Sequence, residues 1–132
     1  MVTFESLQSR NDKIGIVGLG YVGLPLAVHL ARHFEVLGFD LKTDRVAELR
    51  SGFDRTLEVA DADLAAVKIN FTSEGEDLGR CRLIIVAVPT PIDEHNNPDL
   101  SPLRSASVIV GRHVLRAHSE GDLPTETGRL FD

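Results

Sequence analysis

One cysteine, Cys81, stands in 132 residues, so no internal disulfide is available and a reducing compartment is expected. The thiol lies just before an expected buried strand and reads as packing rather than as a nucleophile. Long hydrophobic runs are missing too. The best, residues 83–88, falls far short of the ~20 apolar residues that cross a bilayer. Residues 1–12 are polar and lack the apolar centre of a secretion signal, so a cytoplasmic setting without membrane contact is expected. A clustered basic face is also lacking: the net charge is −6, with Lys and Arg scattered along the chain, which argues against nucleic acid as a partner. It does not argue against a phosphate-bearing ligand, because N–H groups at a helix N-terminus hold phosphate without any lysine. The rest is ordinary for a globular protein: 42% hydrophobic and 26% charged residues. The length suits one core and not two, and there is no internal repeat or low-complexity tract.

Residues 13–18 (Lys-Ile-Gly-Ile-Val-Gly) are a short β-branched run ending in glycine, which predicts a buried strand. From Val22 the positions Val22, Leu26, Leu30 and Phe34 recur every four residues, with Ala27 and Ala31 beside them, predicting a helix to about His33. Pro25 falls in its first turn, where a missing N–H costs little. Residues 35–40 read as a second strand and 43–50 as a second helix, with Val46 and Leu49 inward and Gly52 as its stop. Residues 61–67 predict a short helix capped by Asp61 or Asp63, 69–72 a third strand, and 74–79 a polar turn. Residues 82–88 are apolar nearly throughout, as in a strand covered on both faces, and Pro89 and Pro91 end it. A loop over 93–101 leads to a last helix from Leu103 to about Arg116, with Ala106, Val110 and Val114 on one side. Strands alternating with helices imply an α/β fold, a Rossmann-type doubly wound parallel sheet of order 3-2-1-4.

Gly18-Leu19-Gly20-Tyr21-Val22-Gly23 is a G-x-G-x-x-G element that follows a strand and opens a helix, the context that gives it meaning. Gly18 permits the tight turn, Gly20 lets the backbone approach a pyrophosphate, and Gly23 allows close packing of helix on strand. The bland alternative is a tight turn with no ligand. Asp40 ends the second strand, at the distance along the chain where a carboxylate accepts hydrogen bonds from the adenosine ribose and repels a 2′-phosphate, favouring NAD over NADP. Its competing role is the N-cap of the next helix. Lys42 and Arg45 complicate the preference, since either offers charge to a 2′-phosphate.

The run 13–27 with its Gly-Leu-Pro-Leu-Ala, then Gly38-Phe39-Asp40, Val86-Ala87-Val88-Pro89-Thr90-Pro91 and Asn97-Pro98-Asp99-Leu100 together resemble the UDP-glucose/GDP-mannose dehydrogenase family. The Gly-Leu-Pro-Leu-Ala and Val-Pro-Thr-Pro versions are most similar to its UDP-N-acetylglucosamine and UDP-N-acetylgalactosamine 6-dehydrogenases, which make uronic acid precursors of bacterial surface polysaccharides. The similarity covers about residues 13–116. It implies a cofactor loop of Gly18, Gly20, Tyr21, Val22 and Gly23, with Asp40 on the adenosine ribose and Arg45 at the adenosine end. Pro89, Thr90 and Pro91 would line the crevice beside NAD. Such enzymes oxidise a sugar C6 alcohol with two NAD in succession through a cysteine-linked thiohemiacetal. The groups for that chemistry, and the UDP-sugar contacts, lie beyond the matched segment. Cys81 is in the wrong region to be the nucleophile, so no catalytic residue is assigned here.

After about Arg116 the family continues into a fifth strand, whereas residues 117–132 here are polar and without a β-branched run. A shortened reading frame and a loosely packed tail are expected, with residues 13–116 as a partial domain. The fourth strand would then be an unpaired apolar edge, prone to self-association and a source of low stability. No metal is expected: His29 and His33, four apart, find no third ligand and read as solvent-facing. Asp93, Glu94 and His95 read as a solvated turn, and nothing pairs a nucleophile with a base. The alternatives are another dehydrogenase class on the same fold, such as a hydroxyacyl or phosphogluconate type, and a non-catalytic NAD-binding module or half of a split enzyme.

Overall fold

The computed structural model describes residues 2–5, 12–89 and 91–115. The elements run β1 (Lys13–Val17), α1 (Gly23–Ala31), β2 (Glu35–Phe39), α2 (Thr43–Arg50), α3 (Asp61–Ala65), β3 (Ile69–Thr72), a 3₁₀ helix (Gly75–Arg80), β4 (Cys81–Val86) and α4 (Ser101–Val110), which continues as a π-helical turn (Gly111–Leu115). The four strands form one parallel sheet in the order β3-β2-β1-β4. This is the doubly wound α/β arrangement that strand–helix alternation predicts.

Alternation along β1 and β2 divides the core in two. Ile14, Ile16 and Val36 join Leu24, Ala27, Val28, Val46, Leu49 and Leu64 in a cluster with α1, α2 and α3. Val17, Leu37 and Phe39 turn the other way, toward Leu78, Ile84, Ala106 and Val110. Both faces of the sheet are therefore covered, and the crossovers lie on opposite sides of it.

Several boundaries differ from expectation for identifiable reasons. The buried face of α1 is Leu24, Ala27, Val28 and Ala31, whereas Val22 is exposed and Leu26, Leu30 and Phe34 are half-buried. The small side chains Gly23, Ala27 and Ala31 let the helix lie close to the sheet, which turns the large-residue stripe to the side. Neither Asp61 nor Asp63 caps α3, since its N-cap is Ala60 with no side-chain bond. Cys81 belongs to β4 and pairs with Lys13 instead of preceding the strand. It is fully buried, and desolvation pushes its thiol up to about 12, so it is inert. In β4 only Cys81 and Ile84 are fully buried, because among the described residues β4 pairs with β1 alone and forms an edge. The last helix starts at Ser101, two residues before Leu103, with Pro102 in its first turn.

The end of α2 follows its sequence signal. Gly52 takes φ +87, and the N–H groups of Gly52 and Phe53 donate to the carbonyls of Leu49 and Glu48 at 3.0 and 3.3 Å. That is the glycine-terminated helix end which satisfies two orphan carbonyls at once.

Candidate functional site

The sheet ladder continues a step beyond the strands at their carboxyl ends. Gly18 N–H donates to the Phe39 carbonyl at 2.8 Å, and Ala87 N–H to the Val17 carbonyl at 2.7 Å. The glycine turn thus leaves β1 gripped between β2 and β4, and opens into a crevice of about 540 Å³. That volume is in the range of small-molecule and cofactor sites. Gly18, Gly20, Tyr21, Asp40, Arg45 and Pro89 all line it.

The three glycines of the turn are needed for three different reasons. Gly18 has φ +101, a backbone that side-chain-bearing residues avoid. A Cβ on Gly23 would sit 1.7 Å from the Gly18 carbonyl oxygen, so this glycine is what lets α1 begin against the turn. Gly20 is different: a Cβ there would meet nothing within 4 Å. Neither packing nor backbone conformation asks for glycine at that position, and it faces the crevice. Among the described residues, no partner engages the N–H groups of Gly20, Tyr21, Val22 or Gly23, while Leu24 N–H already bonds the Gly20 carbonyl. No side chain caps α1 and no acid stands in its first turn. An uncapped, unrepelled helix N-terminus with free amides suits an anion.

Asp40 closes the other side. Its main-chain N–H donates to the Thr72 carbonyl at 3.1 Å. Its carboxylate accepts from Leu19 N–H and from Lys42 N–H, each at 3.0 Å. It does not cap α2, whose N-cap is Lys42 without a side-chain bond. The competing reading of Asp40 as a cap thus gives way to a carboxylate that fastens the end of β2 to the glycine turn.

Arg45 is nine-tenths buried. Its Nε donates to the Leu19 carbonyl at 2.9 Å, and one Nη donates to Glu48 at 3.0 Å and Asp54 at 2.8 Å. Its charge is thereby matched by two carboxylates. Its other Nη is buried and has no hydrogen-bond partner among the described residues. Asp54 is fully buried. Burial alone would raise its pKa. Hydrogen bonds from the Thr56 hydroxyl, Arg45 and the N–H groups of Val59 and Thr56 outweigh this and bring it down to about 2. Glu58 N–H also donates to it at 3.0 Å. One carboxylate therefore folds the α2–α3 loop and fixes the guanidinium under the turn.

Not every expected residue meets the crevice. Val22 is exposed at the helix start, Gly23 is packed on Gly18, and Pro91 lies off the lining. The Pro91 carbonyl instead accepts the Asp99 N–H at 2.6 Å and shapes the loop. Thr90 falls outside the described residues, as does the tail 117–132. Asp93 bonds the N–H groups of His95 and Asn97 at 2.8 and 2.9 Å, a self-contained exposed turn. His29 and His33 are exposed, and no group of three metal-ligating side chains occurs among the described residues. Arg55 and Thr56 line the crevice as well, and neither they nor Asp54 and Glu48 stand out in the sequence. The one readable hint is Asp54-Arg55-Thr56 after Gly52, a spacing at which an Asp side chain bonds the backbone two residues on. Among the described residues no helix is long and apolar enough to cross a membrane.

Residues 12–119 match the NAD binding domain of the UDP-glucose/GDP-mannose dehydrogenase family. The chain is similar to the UDP-N-acetyl-D-glucosamine 6-dehydrogenase of Pseudomonas aeruginosa, 54% identical over 104 residues, covering 78% of this chain and 25% of that protein. It is 51% identical over 104 residues to protein CapL of Staphylococcus aureus, covering 79% and 24%. Among solved structures, the UDP-D-ManNAc dehydrogenase of Pyrococcus horikoshii superposes with a TM-score of 0.68 at 30% identity, over 76% of this chain and 25% of that one. The chain thus spans about a quarter of the length of the relatives it matches.

Proposed function

The chain belongs to the UDP-glucose/GDP-mannose dehydrogenase family through its NAD binding domain, and from this premise we propose that it is the cofactor-binding portion of a nucleotide-sugar 6-dehydrogenase. The reaction proposed for the whole enzyme is oxidation of the C6 hydroxyl of a UDP-N-acetylhexosamine to the uronic acid, in the cytoplasm. The similarity to a UDP-N-acetyl-D-glucosamine 6-dehydrogenase supports that substrate class. The domain proposed is residues 13–116, with 1–12 as a leader and 117–132 outside it.

The residues fit a dinucleotide. NAD supplies the hydride acceptor, and this chain binds and orients it. In our reading the N–H groups of Gly20 and Tyr21 donate to the pyrophosphate, Gly18 shapes the turn that presents them, and Gly23 lets α1 start against that turn. Asp40 accepts from the ribose hydroxyls, Arg45 braces the turn beneath the adenosine end through its bond to the Leu19 carbonyl, and Pro89 borders the crevice. The observation that carries this reading is Gly20: its open surroundings leave close approach of a ligand as the reason for a glycine.

Titration of the purified chain with NADH, NAD and NADPH, followed by nicotinamide fluorescence and calorimetry, tests it. Saturable binding of NADH and NAD is expected. Absence of binding by all three would leave a fold without a live site. Self-association through the β4 edge is part of the proposal. Light scattering should show mass rising with concentration, and a monodisperse monomer with a high, cooperative melt would remove that part.

A further inference from the structure

The mouth of the crevice is crowded with charge, and the way that charge is paired bears on which dinucleotide enters. Glu48 is the centre of the pairing. Its carboxylate accepts from Arg45 at 3.0 Å and from Arg55 Nε at 2.6 Å, and its side chain is only 8% exposed. The hydrogen bond from Arg55 holds its carboxyl below the usual range despite the opposing cost of burial. Arg55 is further flanked by Asp44 at 3.9 Å, and Arg45 by Asp54 at 2.8 Å. Four carboxylates, Asp40, Asp44, Glu48 and Asp54, thus face three cations, Lys42, Arg45 and Arg55, at or just behind the rim.

Resting on the dinucleotide reading above, we infer that Glu48 is a specificity-determining residue: it holds Arg45 and Arg55 away from a 2′-phosphate and so excludes NADP from a crevice lined by arginines. A phosphate ester needs a guanidinium with free N–H groups facing it. Arg45 is buried, with its Nε and one Nη already donating within the protein. Arg55 is exposed and donates through its Nε to Glu48, so for Arg55 it is the carboxylate charges of Glu48 and Asp44 beside it that oppose a phosphate. The unpartnered Nη of Arg45 is itself buried and does not face the crevice solvent. Asp40 adds repulsion at the ribose itself, but Glu48 acts one step behind it, by neutralising cations that would otherwise offset that repulsion. Lys42 is exposed and has no ion-pair partner among the described residues, so it is the remaining candidate to meet a phosphate.

Dissociation constants for NADH and NADPH in the full chain test the inference through their ratio. Glu48→Gln is expected to reduce the preference for NADH over NADPH by about tenfold, the worth of one charge-assisted hydrogen bond to phosphate. The gain should weaken with added salt and vanish in Glu48→Gln/Arg55→Ala. Asp44→Asn, at an exposed position, should shift the ratio in the same direction by about threefold, and carries the test if Glu48→Gln fails to fold. A ratio unchanged in every folded variant overturns the inference. So does a gain lost with Lys42→Ala but kept with Arg55→Ala, because the lysine would then be the phosphate's partner. Wild-type chain that binds neither nucleotide overturns the cofactor reading beneath it, whereas wild-type chain that binds both equally overturns only the role of Glu48.

Discussion

The two ends of the sheet carry hollows of opposite character. At the amino ends of β2 and β3 lies the larger, about 730 Å³, bordered by Arg32, Glu35, Lys68 and Asn70. The crevice at the carboxyl ends is smaller, about 540 Å³. Polar groups at the amino end answer to separate neighbours: Glu35 pairs with Lys13 and Arg32 with Asp63, each at 3.9 Å and partly exposed. Such pairs contribute little. At the carboxyl end, Asp40, Arg45 and Asp54 are tied to one another through the glycine turn, with bonds of 2.8–3.0 Å. Volume does not mark the site. Convergent polar groups held rigid by buried partners do.

The sharpest way to break the carboxyl end is Gly23→Ala. Its methyl group would overlap a main-chain carbonyl at 1.7 Å, with no flexible side chain to yield. A loss of about 3 kcal/mol or more is expected, read as collapse of the cooperative urea transition.

Asp54→Ala comes next, at about 3 kcal/mol, because it strips a buried guanidinium of a partner. The same carboxylate gives a pH signature. Its folded pKa lies near 2 against an ordinary 3.8, so its contribution is complete above that ordinary value and is lost as the pH falls through the folded one. The melting temperature should therefore drop between about pH 4 and pH 2, and Asp54→Asn should flatten that part of the curve.

Gly20→Ala separates binding from folding. NADH affinity should fall by about tenfold or more while stability stays within about 0.5 kcal/mol, since the new methyl meets no protein atom. Unchanged affinity would remove the central support for the dinucleotide site. The smallest effect belongs to the opposite end. Arg32→Ala with Lys68→Ala should leave NADH binding within about twofold and stability within about 0.5 kcal/mol, and any larger loss of binding would erase the contrast between the hollows.

Sequence made some of this readable and hid the rest. β1, β2 and β3 could be placed because runs such as Glu-Val-Leu-Gly-Phe are too short for a helix and too apolar for a loop. Gly18, Gly20 and Asp40 could be named because a strand–turn–helix context leaves those positions few physical roles. Arg45 was legible as a charge beside the crevice but not as a neutralised one. Its partner Asp54 lies nine residues on, in a polar stretch without periodicity, and the Glu48–Arg55 pair spans the end of α2. Pairings that cross a helix end and a loop leave no repeat in the chain to read. The stripe on α1 misled for another reason: the helix seats itself by its smallest residues, and counting large ones points a little off the contact.

The bond from Leu19 N–H to Asp40 implies something about speed. Turn and carboxylate are locked together before a nucleotide arrives, so the entropy of ordering the loop is spent during folding instead of at the encounter. Association should then run as a single bimolecular step whose rate rises linearly with nucleotide concentration, without the plateau a slow rearrangement imposes.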